Sequence, residues 1–214
     1  QAYGQRGIAA RLVSSQPHAG LARQWFRSPD VLALLPLDRP RAGHGLGLVW
    51  SVPDARADEL MAMPEAEFLA ELMHASQGAA GNLALASPRA QWPLSLARAE
   101  AVHGPGWVLV GDAAHVVHPL AGQGLNLGLA DVAALAEVLA GREPWRPLGD
   151  ARLLQRYARH RIGPTLAMAG LTDGLLHLFA SPAPLARELR NRGLSLVDHL
   201  TPLKRLLAAR ALDG

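Results

Sequence analysis

The sequence predicts an α+β chain, and three observations carry that prediction. Short apolar runs, punctuated by proline and glycine, follow one another from Tyr3 to about Leu96. A single apolar run at 107–110 then breaks into an acidic turn, a Gly/Pro loop and a helix start. From Leu153 to Leu212 the apolar residues recur at helical spacing, interrupted by further glycine and proline. With 214 residues, 50% of them hydrophobic, there is enough apolar surface for one or two cores, since domains commonly run about 100 to 200 residues.

The first region is read as strands over residues 8–13, 22–26, 31–35 and 47–51, with a last stretch over 83–96. Pro17, Gly20, Pro29, Pro36, Pro40 and Pro53 separate them. Between the last two lies a helical stretch that begins near Asp54 and is renewed at Pro64 in the N1 position. Glu65 and Glu67 then stand in the first turn, while Phe68, Leu69, Leu72 and Met73 point inward. Met61, Met63 and Met73 read as core filler rather than ligands. In the second region Leu125, Leu129, Val132, Leu135, Ala136 and Leu139 predict one helix that Gly141 ends. The third region is expected to be helices broken at Gly163-Pro164, Ser181-Pro182-Ala183-Pro184, Gly193 and Pro202.

The most informative segment is Gly111-Asp112-Ala113-Ala114-His115-Val116-Val117-His118-Pro119-Leu120-Ala121-Gly122-Gln123-Gly124-Leu125-Asn126-Leu127-Gly128. Asp112 emerges where a buried strand ends, a place from which a carboxylate can meet a ligand hydroxyl. The same carboxylate can equally cap its own turn. Backbone N–H groups near Gly122 to Asn126 stand at a helix N-terminus, which favours negative charge. His115 and His118 are three apart, yet no third ligand falls at metal spacing, so no metal is expected and both read as hydrogen-bonded structural residues. The glycine clusters at 43–47 and 78–81 do not lie between a strand and a helix, as a nucleotide loop requires.

Taken together, Gly111 to Asp131 resembles the pattern GDAAHxxHPLAGQGLNLGxxD of the class A flavoprotein aromatic monooxygenases, and within them the ubiquinone-biosynthesis hydroxylases, 2-polyprenyl-6-methoxyphenol hydroxylase-like proteins. Tyr3-Gly4-Gln5, Pro17-His18, Trp25-Phe26, Val49-Trp50-Ser51 and Trp92-Pro93-Leu94 are similar to landmarks of that family's substrate domain. Tyr157, Arg161, Thr172-Asp173, Phe179, Arg190 and Pro202-Leu203-Lys204 resemble its C-terminal helices. The resemblance implies FAD as cofactor and NAD(P)H as reductant, a prenylated phenol as substrate, and one oxygen atom transferred from dioxygen to the ring. It implies that Asp112 holds the ribityl chain and that Pro119, Gly122, Gln123, Gly124, Leu125 and Asn126 pass beside the isoalloxazine ring. Amides of Leu125 and Asn126 would then stabilise the electron-rich ring edge. Gln123 and Asn126 either bond the ring or support the loop, His18 and Trp25 read as strand-packing residues, and no catalytic acid or base is nominated.

The resemblance further implies that the chain is an α+β portion of the α/β FAD-binding fold typified by p-hydroxybenzoate hydroxylase. Residues 1–98 would be the substrate-binding sheet with one helical insertion, 99–145 the C-terminal part of the FAD-binding domain, and 146–214 a helical region. A strand, G-x-G-x-x-G turn and helix for the ADP moiety are not present, so the chain alone is expected to be inactive. Strand 107–110 would have its sheet neighbours elsewhere and must be exposed, covered differently, or paired with another copy in a homo-oligomer. Two other readings remain open: a hydroxylase of a small soluble phenol, and a non-catalytic accessory protein that binds a prenylated quinol or a biosynthetic partner.

Charge narrows the partners. The net charge of +3 comes from scattered arginine with Lys204 as the one lysine, and only 5% of residues are aromatic, so no nucleic-acid surface is expected. Arg187, Arg190, Arg192, Lys204, Arg205 and Arg210 stand among leucines. That cluster reads either as the solvated face of a helical hairpin or as a peripheral contact with anionic lipid. No cysteine is present, which fits a reducing compartment, and no run of about 18 apolar residues could span a bilayer. A cytoplasmic protein is expected, peripheral to the inner membrane if the lipid contact is made.

Overall fold

A computed structural model describes residues 2–27, 29–117 and 123–180. The backbone divides into two units, Ala2–Leu94 and the chain from Ser95 onward, each with its own packing.

In the first unit, strands β1 (Ala2–Ser14), β2 (Arg23–Arg27), β3 (Asp30–Leu37), β4 (Gly45–Pro53) and β5 (Leu83–Leu85) form a sheet in the order β2-β3-β4-β1-β5. Their pairings are antiparallel, and β6 (Ala90–Ser95) also pairs with β1. Register follows from the alternation of side chains. Ile8 stands opposite Trp50 and Leu12 opposite Leu46, while Leu32 and Leu34 face Trp50 and Leu48. These residues all point to one side and are almost wholly buried there. The alternate set, including Ala9, Ala33, Gly47 and Val49 with Leu35 and Leu37 at its edge, forms a second face of small and aliphatic residues.

Helices α1 (Asp54–Ala62) and α2 (Glu65–Ala75) cover the first face, because Ala57, Leu60, Phe68 and Leu72 are 0% exposed and belong to the same core. Met61, Met63, Leu69 and Met73 pack around its margin. Pro64 is the N-cap of α2 rather than its first helical residue, one position from expectation, and Glu65 opens the helix. Arg89 closes the junction between the two helices: Nη1 donates to the Leu60 carbonyl at 2.7 Å and Nη2 to that of Met63 at 2.8 Å. Its guanidinium also lies 4.7 Å from the centre of the Phe68 ring, which is tilted against Trp50 at 6.2 Å.

In the second unit, β7 (Ala97–Arg98) pairs antiparallel with β10 (His115–Val116), and β8 (His103–Gly104) forms a hairpin with β9 (Trp107–Val108). The expected strand at 107–110 is thus shorter than its apolar run. Val108 and Val110 instead pack on a cluster of Val138, Leu153 and Tyr157, leaving Trp107 45% exposed. Helix α3 (Gln123–Ala140) stops where the Gly141 N–H bonds the Glu137 carbonyl at 2.9 Å. Helix α4 (Ala151–Ala180) runs without a break through Gly163-Pro164, contrary to the sequence expectation. Pro164 costs the helix one hydrogen bond, but the carbonyl it frees belongs to exposed His160, which water can satisfy. The further breaks expected at 181–184, Gly193 and Pro202, and the basic C-terminal cluster, lie outside the described residues.

The connection between α3 and α4 is stapled by charge. Arg146 pairs with Glu143 and Asp150, each at 2.7 Å, and Arg156 reaches Glu143 at 2.5 Å. Hydrogen bonds from Arg156 and Arg146 hold the Glu143 carboxyl down at about 2. Asp150 accepts the Leu153 N–H at 2.9 Å, capping the start of α4.

The buried stripe of α3 differs from the one expected. Leu125, Leu129 and Val132 are 73%, 58% and 53% exposed, whereas Leu127 and Asp131 are 3% and 0% exposed. The inward seam therefore passes through a carboxylate, for a reason found in its partners. For the first unit, Phe68→Ala should lower unfolding free energy by about 3–5 kcal/mol, measured by urea denaturation, because it opens a cavity between α2 and the sheet.

Candidate functional site

After β9 the chain remains extended. The Leu109 N–H bonds the Val102 carbonyl at 2.8 Å, and the Leu109 carbonyl accepts the Tyr157 hydroxyl at 3.0 Å. At Gly111 φ becomes +57°, a left-handed value that favours glycine, and the backbone enters one 3-10 turn over Gly111–Ala113. This turn rests on α3 at Gly128. A Cβ on Gly128 would stand 3.3 Å from the Gly111 Cα, tighter than an ordinary contact, so the two backbones approach closely here.

One turn further along α3, Asp131 secures that contact. Its Oδ2 accepts the Gly111 N–H at 2.9 Å and lies 2.7 Å from His115 Nε2. Its Oδ1 accepts the Arg161 Nε–H of α4 at 2.6 Å, and Arg161 Nη2 also donates to the Leu127 carbonyl at 3.3 Å. The Asp131 side chain is 1% exposed. An isolated carboxylate at that depth would cost several kcal/mol, and here its lone pairs meet three donors. Tyr157 borders the cluster. Burial pushes its phenol up to about 12, with the Asp131 charge adding to the effect and Arg161 opposing it.

The outcome is an exposed carboxylate on a fixed turn. Asp112 is exposed and has no ion-pair partner among the described residues. Gln123, Gly124, Leu125 and Asn126 make the first turn of α3, whose leading N–H groups have no partner within the helix. Pro119 and Gly122, also expected at the site, lie outside the described residues, as does His118. His115 is engaged by Asp131, and among the described residues no group of three or more His, Asp or Glu is arranged to hold a metal. An outward acceptor beside helix-terminal donors suits a ligand that carries hydroxyls and an electron-rich edge.

Nothing local in the sequence pairs Asp131 with Arg161, which stand thirty positions apart. The available signal was a lone acid on an otherwise apolar stretch of helix, flanked by Leu127 and Ala134.

Comparison with known proteins bears on this geometry. Residues 11–168 match the family described as FAD binding domain. Ubiquinone hydroxylase UbiL of Rhodospirillum rubrum is 36% identical over 214 residues, 98% of this chain and 48% of that protein. The 3-demethoxyubiquinol 3-hydroxylase of Escherichia coli is 36% identical over 195 residues, 88% of this chain and 47% of that protein. The chain spans about half the length of the curated relatives it matches. Among solved structures, p-nitrophenol 4-monooxygenase PnpA from Pseudomonas putida superposes with a TM-score of 0.72 at 20% identity, over 100% of this chain and 55% of that one. PqsL of Pseudomonas aeruginosa, a probable FAD-dependent monooxygenase, gives 0.68 at 24% identity, over 85% of this chain and 50% of that one. These likenesses establish the fold.

Two outcomes follow from the turn and its surroundings. Gly111→Ala should destabilise the chain by about 1–2 kcal/mol in chemical denaturation, through the left-handed backbone rather than through crowding. Tyr157 has a folded pKa above its ordinary value of 10, so its stabilising contribution is complete below pH 10 and is lost as pH rises through about 12. Urea melts between those limits should show the wild-type chain losing stability more steeply than Tyr157→Phe. At neutral pH the variant should be weaker by about 1 kcal/mol, the worth of its bond to Leu109.

Proposed function

Because the chain belongs to the FAD binding domain family, we propose that it supplies the flavin turn and the substrate sheet of an FAD- and NAD(P)H-dependent monooxygenase. Its reaction is hydroxylation of a polyprenylated phenol ring in ubiquinone biosynthesis. The observation that carries the reading is the outward carboxylate of Asp112, seated by Gly111 against α3. Relatives named as ubiquinone-pathway hydroxylases, matched along nearly this whole chain, support the substrate class.

The residues fit the cofactor. Asp112 is an acceptor free to take ribityl hydroxyl donors, and the first turn of α3 offers N–H groups to the carbonyl-bearing edge of an isoalloxazine ring. Such a helix end is worth up to about 2 kcal/mol for negative charge when partly buried. Pro119 and Gly122 complete the loop in this reading. Bound FAD, reduced by NAD(P)H, supplies the activation of dioxygen. The chain itself binds, orients and tunes charge. Ala9, Ala33 and Gly47, with Val49 and Leu35, offer a low apolar surface on which an aromatic ring bearing a hydrocarbon tail can lie. The basic cluster from Arg187 to Arg210 is the part assigned to contact with anionic lipid. No described helix is long and apolar enough to cross a membrane.

The gene product that carries this chain should purify yellow, and its NAD(P)H oxidation should rise more with a prenylated phenol than with a small soluble one. A colourless product that cannot be reconstituted with FAD would refute the assignment. Asp112→Ala should weaken FAD binding about tenfold or more, the loss of a charge-assisted hydrogen bond, with little change in thermal midpoint because the side chain is exposed.

A further inference from the structure

We propose that Asp131 is a positioning residue for the cofactor: it sets where the Asp112 carboxylate stands, and through Arg161 it makes that position depend on α4. The ligand in this statement rests on the flavin reading above, but its mechanical content does not.

Gly111, whose N–H donates to Asp131 at 2.9 Å, is the residue immediately before Asp112. Any displacement of that amide moves the acidic side chain with it. Across the contact, Gly111 and Gly128 present only backbone to each other, so no side chain locks the turn in place. The hydrogen bond to Asp131 provides that lock. His115, on the far side of the turn, is held by the same Oδ2 at 2.7 Å, so both ends of Gly111–His115 are tied to one oxygen. The second oxygen is fixed by Arg161 at 2.6 Å, and Arg161 is itself braced by the Leu127 carbonyl. Only a carboxylate can serve all three donors. Asparagine of the same shape has one acceptor oxygen and would turn an N–H₂ group toward either Arg161 or the Gly111 and His115 donors. A purely structural role would clamp α3 to α4 without specifying the turn, and Gly111 would then need no bond to the clamp.

The test compares the wild-type gene product with Asp131→Asn and, in case that variant folds poorly, with Arg161→Lys, which keeps the charge but loses the bidentate brace. Arg146→Gln serves as the control, because it weakens the α3–α4 connection far from the turn. Amide hydrogen exchange over residues 110–116 should accelerate about tenfold or more in Asp131→Asn, the cost of one charge-assisted hydrogen bond, and less but in the same direction in Arg161→Lys. Exchange in β1 and β4 should not change. Bound FAD should dissociate more readily and show an altered visible circular dichroism band in both variants, whereas Arg146→Gln should match wild type in each measurement. Wild-type exchange over 110–116 in both variants, or a control that moves as far as they do, overturns the proposal. If the wild-type protein takes up no FAD, the flavin reading fails and exchange alone decides whether Asp131 sets the turn.

Discussion

A carboxylate shut away from water must be paired, and the second unit is organised around that requirement at Asp131. With its side chain 1% exposed, Asp131 gathers an amide from the turn, a histidine from β10 and a guanidinium from α4. Removing any one of these donors leaves part of a buried charge unpaired, where water cannot replace it. The close approach of Gly111 to Gly128 belongs to the same constraint, since a Cβ on Gly128 would crowd the Gly111 Cα at 3.3 Å where the turn meets the helix. Tyr157 adds a neutral tie from α4 to the strand that leads into the turn.

The first unit is held differently. Its core is an ordinary sandwich of sheet and helices, in which Ile8, Leu12, Leu48 and Phe68 supply hydrophobic burial and, among the described residues, no Asp, Glu, Lys or Arg is buried. Polar chemistry enters at the margin. Arg89 stacks on Phe68 while it satisfies the last carbonyls of α1, so a single cation joins an aromatic core to a helix end. Lysine could not replace it, having neither the planar face nor the paired donors.

How far the sequence could be read depends on the range of the interactions. The strands of the first unit were legible because alternation and Pro/Gly punctuation are local, and Phe68 and Leu72 showed the inner face of α2 at helical spacing. The turn was legible because Gly111, Asp112 and the later glycines stand together in one segment. The seam of α3 was not. Its spacing announces an amphipathic helix, but burial of Asp131 in place of Leu125 and Leu129 depends on Arg161, thirty positions along the chain. Strand 107–110 was over-extended for a related reason: apolar composition marks burial, and past the two paired residues of β9 Val110 obtains it by packing on Val138, Leu153 and Tyr157 rather than from a ladder. Pro164 misled because a proline inside a helix pattern marks a probable break, whereas here α4 runs on through it.

The ion pairs that staple the link between the helices have a physical character opposite to that of the buried cluster. Glu143, Arg146, Asp150 and Arg156 meet near the surface, where mobile ions screen charges over about 8 Å at physiological ionic strength and about 3 Å at 1 M. Electrolyte reaches those pairs and scarcely reaches Asp131. Concentrated salt would therefore slacken the bend joining the two rods while leaving them bolted at mid-length, so that brine and freshwater forms of the unit differ at its tip and agree at its waist.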